Sequence, residues 1–208
     1  MKNISTHLKV WIVLVLVLLA DQAVKCWIKT HMTIGQDLPV FGQWFIIRFI
    51  ENNGMAFGME WGGNLGKYLL SIFRIGAVVC IGWYIRYLIR EKAPEGFVLT
   101  CALILAGAAG NIIDSMCYGL LFDQSTFTHV ATFLPEGGGY AGFLQGKVVD
   151  MLYFPLVQGT FPEWIPGIGG TDFLFFRPIF NIADSAITVG VAVILICYRN
   201  VFATNLKN

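Results

Sequence analysis

Long apolar stretches separated by mixed segments dominate the hydrophobic pattern of this chain. A membrane-spanning helix needs roughly 20 mostly apolar residues, because each residue adds only about 1.5 Å along the helix axis. Four stretches meet this requirement, which predicts an all-α membrane protein with four transmembrane helices in a single integral membrane domain, residues 1–208. The predicted spans lie at about residues 9–29, 68–89, 97–118 and 178–198.

The first apolar stretch contains polar residues at membrane depth. Its purely apolar run, from Val10 to Ala20, is too short to cross a membrane, so the helix must continue through Asp21 and Lys25. Ionisable groups at that depth are costly and usually functional. A removable signal peptide is the alternative, but no small-x-small cleavage site follows Ala20. We therefore predict an uncleaved first span.

The connections on one side of the predicted bundle carry their own patterns. Residues 39–51 are rich in aromatic and β-branched types, which favours a short sheet. Residues 155–170 combine three prolines with aromatic residues, which predicts irregular chain at the lipid interface.

Composition and charge agree with a lipid environment. Hydrophobic residues make up 56% and charged residues 13% of the chain, whereas a soluble domain carries about 25% charged residues. The net charge of +1 gives no general field for nucleic acid. Five cysteines without CxxC spacing and three scattered histidines give no metal-site pattern, so we expect neither a metal nor a cofactor.

The distribution of Lys and Arg predicts the orientation. These residues cluster next to the first span, in the connection after the second span and after the fourth, and such clusters mark the cytoplasmic side. Both termini are therefore predicted to be cytoplasmic. The segments at about residues 30–67 and 119–177 are predicted to be extracytoplasmic.

Acidic residues from separate parts of the chain fall at one predicted depth. Helix rise places Asp21, Asp114 and Asp184 roughly 18 to 26 Å above the cytoplasmic ends of their spans, and Asp150 precedes the fourth span on the outside. A single acid of this kind is more often part of a structural ion pair. Acids within a membrane normally face the bundle interior or a polar cavity, so their shared level predicts a site.

Paired carboxylates suggest a specific chemistry. Two carboxylates a few ångströms apart cannot both ionise cheaply, so they share a proton. The ionised member can then act as a base on water while the protonated member polarises a carbonyl. Aspartic peptide hydrolysis works in this way and requires neither metal nor cofactor.

Five short motifs identify a resemblance that covers most of residues 8–199. Their order and membrane placement resemble the lipoprotein signal peptidases, also called signal peptidase II. The motifs are Asp21-Gln22-x-x-Lys25, Asn53-Gly54-x-Ala56-Phe57-Gly58, Gly110-Asn111-x-Ile113-Asp114, Gly146-x-Val148-Val149-Asp150 and Phe180-Asn181-Ile182-Ala183-Asp184.

The resemblance implies a function and a set of site residues. It implies a bacterial inner-membrane aspartic endopeptidase, expected as a monomer, that removes the signal peptide of diacylglyceryl-modified prolipoproteins before the lipidated cysteine. It also implies a small extracytoplasmic β-cradle and inhibition by globomycin-type cyclic peptides. The catalytic pair corresponds to Asp150 and Asp184. The substrate-binding or dyad-supporting positions correspond to Asp21, Lys25, Asn53, Gly54, Asn111, Asp114, Asn181 and Ala183.

The chain departs from the family pattern in two places, and other functions stay open. Ser115 stands where many members have Arg. Arg74 is one candidate to replace that arginine. The commoner explanation of an arginine such as Arg74 is that its side chain snorkels to the membrane interface. Roughly residues 119–144 and 155–176 are extra material, for which a substrate-facing cap and a neutral insertion are both open. A small proton- or cation-coupled transporter is the main alternative, and a non-catalytic membrane assembly factor is another.

Overall fold

A computed structural model describes residues 4–53, 63–175 and 178–199 of the chain. In these ranges a helix overlaps each of the four apolar stretches. The third helix continues through a π-helical turn (Asp114–Tyr118) into a short helix, α4. The helices are α1 (Thr6–His31), α2 (Gly63–Arg90), α3 (Glu95–Ile113), α4 (Gly119–Leu121) and α5 (Ile182–Cys197).

Three helices of the described chain are long and apolar enough to cross a membrane: Thr6–His31, Leu65–Arg90 and Glu95–Leu121. The fourth predicted span, residues 178–198, is shorter in the structure. Its first residues form a strand (Ile179–Phe180), and α5 has only 16 residues. A helix of that length extends roughly 24 Å. The helical membrane character is confirmed, whereas a fourth transmembrane helix stays a prediction.

Contacts at one end of the bundle show how the helices run. Lys9 near the start of α1 forms an ion pair of 2.7 Å with Glu95 at the start of α3. The ring of Phe97 lies 5.3 Å from the ring of Tyr198, which follows α5. The starts of α1 and α3 therefore lie beside the end of α5. The opposite end of the bundle carries the sheet.

A four-stranded antiparallel sheet covers that opposite end. Its order is β1-β2-β3-β6, and Ile50 of β2 pairs with Asp150 of β3 next to a register shift. Strands within residues 39–51 were predicted, and the structure confirms them. The strands are β1 (Asp37–Phe41), β2 (Phe45–Asn52), β3 (Val148–Tyr153) and β6 (Ile179–Phe180).

A separate hairpin corrects the prediction of irregular chain at residues 155–170 in part, because residues 157–160 form a strand while residues 161–170 are turns and irregular chain. Strand β4 (Val157–Thr160) pairs with β5 (Asp172–Phe175). The prolines at positions 155, 162 and 166 all lie outside the two strands, so they bound the hairpin without removing a donor from it.

The extra residues after α3 form part of the hydrophobic core. A cluster of buried side chains joins the end of α1 to the sheet and to this segment, and an isolated bridge between Phe122 and Phe133 closes the segment on itself. The buried members are Ile28, Met32, Phe49, Tyr118, Phe122, Ala131, Val149 and Met151. This insertion therefore supports the strand that carries Asp150.

Gly146 allows the chain to enter β3 against the π-helical turn. Its N–H donates to the carbonyl of Ser115 at 2.9 Å. A Cβ at this position would lie 2.0 Å from the carbonyl oxygen of Asp114, a distance that real Cβ atoms do not show. Only glycine permits this close approach, which explains the first residue of the Gly146-x-Val148-Val149-Asp150 motif.

Candidate active site

Asp150 lies in strand β3 and is 4% exposed. Each of its carboxylate oxygens accepts a hydrogen bond from a side-chain amide. Asn181 Nδ2 donates to Oδ1 at 2.7 Å, and Asn52 Nδ2 donates to Oδ2. Two amide donors therefore fix the orientation of this carboxyl group.

Asp184 is held by the first turn of α5. Asn181 is the N-cap residue, and its Oδ1 accepts the backbone N–H of Asp184 at 2.8 Å. In return Asp184 Oδ2 accepts the backbone N–H of Asn181 at 3.4 Å. This reciprocal arrangement is a capping box, and it places the half-buried Asp184 at the N-terminus of the helix. The Asn181-x-x-Asp184 spacing is therefore both a helix start and a means of orienting the acid.

Two asparagines bridge Asp150 and Asp184. Asn181 Nδ2, which bonds Asp150, also lies 3.0 Å from Asn111 Oδ1. Asn111 Nδ2 in turn donates to Asp184 Oδ1 at 2.7 Å. The network runs from one acid through two amides to the other. Acids that lie in β3 and α5 are thus brought into one polar cluster.

Lys25 occupies the centre of the supporting network. Its Nζ lies 2.9 Å from Asp21 Oδ2, 2.8 Å from Asp114 Oδ2 and 2.9 Å from Asn111 Oδ1. An ammonium group has three donors, and each has a partner here. The side chains of Lys25, Asp21 and Asp114 are fully buried. Buried charges require such pairing, because removal from water penalises an isolated charge.

Asp21 and Asp114 also hold the backbone next to each member of the pair. Asp21 Oδ1 accepts the N–H of Ala183, the residue before Asp184, at 2.9 Å. Asp114 Oδ2 accepts the N–H of Val149, the residue before Asp150, at 3.2 Å. The ion cluster therefore fixes the positions of both backbone segments.

Small residues on α3 let these elements approach each other. A Cβ at Gly110 would lie 2.8 Å from Asp21 Oδ2 and 3.2 Å from Ala183 Cβ. A Cβ at Gly107 would lie 2.3 Å from the carbonyl oxygen of Ala183. Substitution at either position would push α5 away from the network.

Burial and like charge raise the pKa of Asp150. Burial is the largest cause and the charge of Asp184 adds to it, whereas the hydrogen bond from Asn181 lowers the pKa; the net result is about 7. Asp150 can therefore hold a proton near neutral pH. A protonated carboxyl beside a second carboxylate suits general acid–base work on water.

The structure brings together most of the residues that the sequence predicts for the site. Asn53 differs, since its side-chain oxygen accepts from Lys67 Nζ at 3.1 Å, while the neighbouring Asn52 bonds Asp150. Asn52 is the last residue of β2, and Asn53 follows the strand. Gly54, with the rest of its motif to Gly58, lies outside the described residues. The cluster comprises Asp21, Lys25, Asn111, Asp114, Asp150, Asn181, Ala183 and Asp184.

Sequence reasoning missed a second buried network behind strand β2. Lys29 forms an ion pair with Glu51 and donates to Ser125 Oγ at 2.9 Å. Lys147 Nζ lies 3.6 Å from the other oxygen of Glu51, and the ring of Tyr140 lies 4.9 Å from Lys29 Nζ. The i,i+4 spacing of Lys25 and Lys29 was an available signal for a second charge on the same face of α1.

Comparisons with known proteins agree with this geometry. The family model for signal peptidase (SPase) II matches residues 13–200. The chain belongs to the signal peptidase II family. It is therefore a membrane peptidase, and the comparisons give no support to the transporter alternative.

Relatives of the signal peptidase II family match most of the chain. A lipoprotein signal peptidase of Porphyromonas gingivalis is 47% identical over 89% of this chain and 80% of that protein. A lipoprotein signal peptidase of Amoebophilus asiaticus is 38% identical over 92% of this chain and 79% of that protein. A solved bacterial membrane enzyme is 26% identical with a TM-score of 0.58, covering 96% of this chain and 97% of that one.

Proposed function

We propose that this signal peptidase II family member removes the signal peptide from diacylglyceryl-modified bacterial prolipoproteins, cutting before the lipidated cysteine. In this proposal Asp150 and Asp184 activate the attacking water. The observation that carries it is the amide bridge through Asn181 and Asn111, which holds the two acids in one cluster. The names of the relatives support the substrate class.

The reaction follows from one shared proton. The ionised carboxylate takes a proton from water as the oxygen attacks the scissile carbonyl, and the protonated carboxyl donates its proton to the carbonyl oxygen. The tetrahedral intermediate then collapses: its C–N bond breaks, and the leaving nitrogen receives the proton held by the base. The carbonyl re-forms to give the carboxylic acid product. The proton that the hydroxyl group of the intermediate releases returns to the carboxylate that had acted as the acid, which restores the starting state of the pair. The single proton is shared by the two acids and is not assigned to either one.

The other site residues have supporting roles in this proposal. Asn111 and Asn181 orient the two carboxyl groups, and Asp21, Lys25, Asp114 and Ala183 fix the backbone beside them. Asn53, which follows β2, is proposed to border the substrate. The role of Gly54 stays a prediction.

We propose four transmembrane segments, with α5 as the shortest, in one membrane domain that acts as a monomer. Both termini lie in the cytoplasm and the acids lie near the extracytoplasmic face of the inner membrane. The support is the ring of cations at the bundle end opposite the sheet, which matches the preference of Lys and Arg for the cytoplasmic side. These cations are Lys9, Arg86, Arg90, Lys92 and Arg199.

A cleavage assay with matched substrates tests the proposal. Purified protein is incubated with a diacylglyceryl-modified prolipoprotein and with the same precursor lacking the lipid. We expect cleavage of the lipidated form alone, at the bond before the modified cysteine. A globomycin-type cyclic peptide should inhibit this reaction. Cleavage of both forms alike, or of neither, would contradict the substrate assignment.

Two variants test the aspartate pair in the same assay. Asp150→Asn and Asp184→Asn should each abolish cleavage while the variant protein still shows a cooperative thermal unfolding transition. Glu95→Gln is the matched control, because it removes a carboxylate at the opposite end of the bundle. Activity retained in either aspartate variant would defeat the assignment.

A further inference from the structure

Arg74 lies on the side of α2 that faces the protein interior. The buried residues of α2 recur at helical spacing, and Ser71, Ile85 and Leu88 define its inner face. With 100° per residue, Arg74 falls between Ser71 and Leu88 on that face. Its own side chain is half-buried. An arginine in this position faces the bundle rather than lipid.

The opposite side of α2 is apolar and exposed. This outward face suits contact with lipid, as expected for a membrane helix. A snorkelling arginine would need a place on it or at a helix end. Arg74 lies about two turns further along α2 than Lys67, so it is neither on the outward face nor at the end of the helix. The exposed residues include Leu65, Leu69, Phe73, Val79 and Trp83.

The inner face of α2 lies beside the chain that leads into β3. Lys67 Nζ donates to the carbonyl of Gln145 at 2.7 Å, and Ser71 Oγ donates to that of Leu144 at 3.4 Å. Lys67, Ser71 and Arg74 are spaced at i, i+4 and i+7, so they form one stripe. The stripe therefore runs from the segment before Asp150 toward the bundle interior.

Arg74 is a second cation near the acids, besides Lys25. All three donors of Lys25 already bond Asp21, Asp114 and Asn111. The positive charge of Arg74 interacts electrostatically with Asp184, Asp150 and Asp114. Among the residues that the structure describes, the charged groups around Asp150 of β3 and Asp184 of α5 are Asp21 and Lys25 from α1, Arg74 from α2 and Asp114 from the π-helical turn.

We propose that Arg74 is a positioning residue of the aspartate pair, and that its guanidinium supplies the positive charge that keeps one of Asp150 and Asp184 ionised. This inference rests on the proposed function of the pair. A cation on α2 offsets the charge of the carboxylate that serves as base, while burial of Asp150 keeps the shared proton in place. Arg74 acts through the acids and takes no part in bond making or breaking.

A pH–rate comparison tests this role. Arg74→Gln should lower kcat about tenfold, change KM less than twofold, and move the pH–rate profile upward by about one unit, since loss of a nearby cation favours the protonated acids. Arg74→Lys should restore the position of the profile. Arg86→Gln, an exposed residue on the same helix, is the matched control and should leave the profile unchanged.

Two measurements separate this inference from the proposed function. If the unmodified protein cleaves its substrate and Arg74→Gln keeps the same profile, the role of Arg74 is overturned and the proposed function stands. Infrared titration of the protonated carboxyl band that disappears in Asp150→Asn requires no substrate. Its midpoint should rise in Arg74→Gln, and an unchanged midpoint would overturn the proposal even if no cleavage occurs.

Discussion

Asn52 and Asp150 are joined by a hydrogen bond across strands β2 and β3, with the amide of Asn52 as donor to Oδ2 of Asp150. This bond adds a second donor to the acid that Asn181 already bonds. Asn52→Ala removes it while the strand pairing at Ile50 stays in place. A hydrogen bond to a charged group contributes about 1.5 to 3 kcal/mol, so kcat should fall about 10- to 150-fold if the whole contribution is lost in the transition state.

The neighbouring asparagine provides the comparison for this prediction. Asn53 Oδ1 accepts from Lys67 Nζ, whereas Asn52 Nδ2 donates to Asp150, so we expect Asn53→Ala to lower kcat less than Asn52→Ala does. Steady-state cleavage kinetics of the two variants give the order directly. Equal effects, or a larger effect of Asn53→Ala, would mean that the Asn52 contact does not orient the acid.

The helices and their buried acids could be predicted because each rests on a local pattern. Apolar length predicts α1, and helix rise predicts that Asp21, Asp114 and Asp184 share one level. The short fourth helix was harder, because Ile179 and Phe180 are as apolar as the helix that follows. Their pairing with β3 decides their conformation, and a partner strand so distant in sequence is not visible in a local window.

Contacts between distant segments also explain what sequence reasoning missed. The sequence alone does not show that Asn52 reaches Asp150, because this contact depends on the register of β2 against β3. The hairpin of β4 and β5 was obscured because prolines mark its ends and turn. Lys29 and Glu51 find each other only after α1, β2 and the insertion pack together.

The raised pKa of Asp150 predicts a decline of activity in alkaline solution. The proton shared by the pair is lost as the pH rises through about 7, the pKa of Asp150. Without it, neither acid can polarise the carbonyl, so kcat/KM should fall about tenfold per pH unit above that value. A pH–rate profile with a buffer control checks this. Constant kcat/KM from pH 6 to pH 9 would contradict the shared proton.

The raised pKa of Asp150 also predicts that the stability of the folded protein decreases as the pH rises. The pKa of Asp150 is higher in the folded protein than its ordinary value of 3.8, so the folded state holds a proton that the unfolded chain releases. Stability from this group is therefore full below about pH 4 and is lost as the pH rises to about 7. Thermal unfolding in detergent should show this slope, and Asp150→Asn should reduce it. An unchanged slope would assign the dependence to other groups.

Lys25 is predicted to be essential for stability as well as for geometry. Lys25→Met leaves Asp21 and Asp114 buried without their cation. Breaking a buried ion pair by removing one partner costs about 3 to 5 kcal/mol, so the unfolding transition should move to lower temperature or denaturant. Adding Asp114→Asn should recover part of this loss because it removes one uncompensated charge. A double variant less stable than Lys25→Met would contradict this account.

The buried pair of Lys29 and Glu51 gives the last prediction, a double-mutant cycle. Glu51 pairs with Val149 in the sheet register, directly beside Asp150, while its carboxylate meets Lys29 of α1. Lys29→Met or Glu51→Leu alone leaves one charge buried, at a cost of about 3 to 5 kcal/mol. Together they leave an apolar contact, so the double variant should be more stable than either single variant, although Lys147 loses its partner as well. Denaturant unfolding gives the coupling energy.

Additive losses of stability would show that Lys29 and Glu51 are not coupled. Recovered stability in the double variant together with a reduced kcat would show that this network also positions β2 for the contact between Asn52 and Asp150.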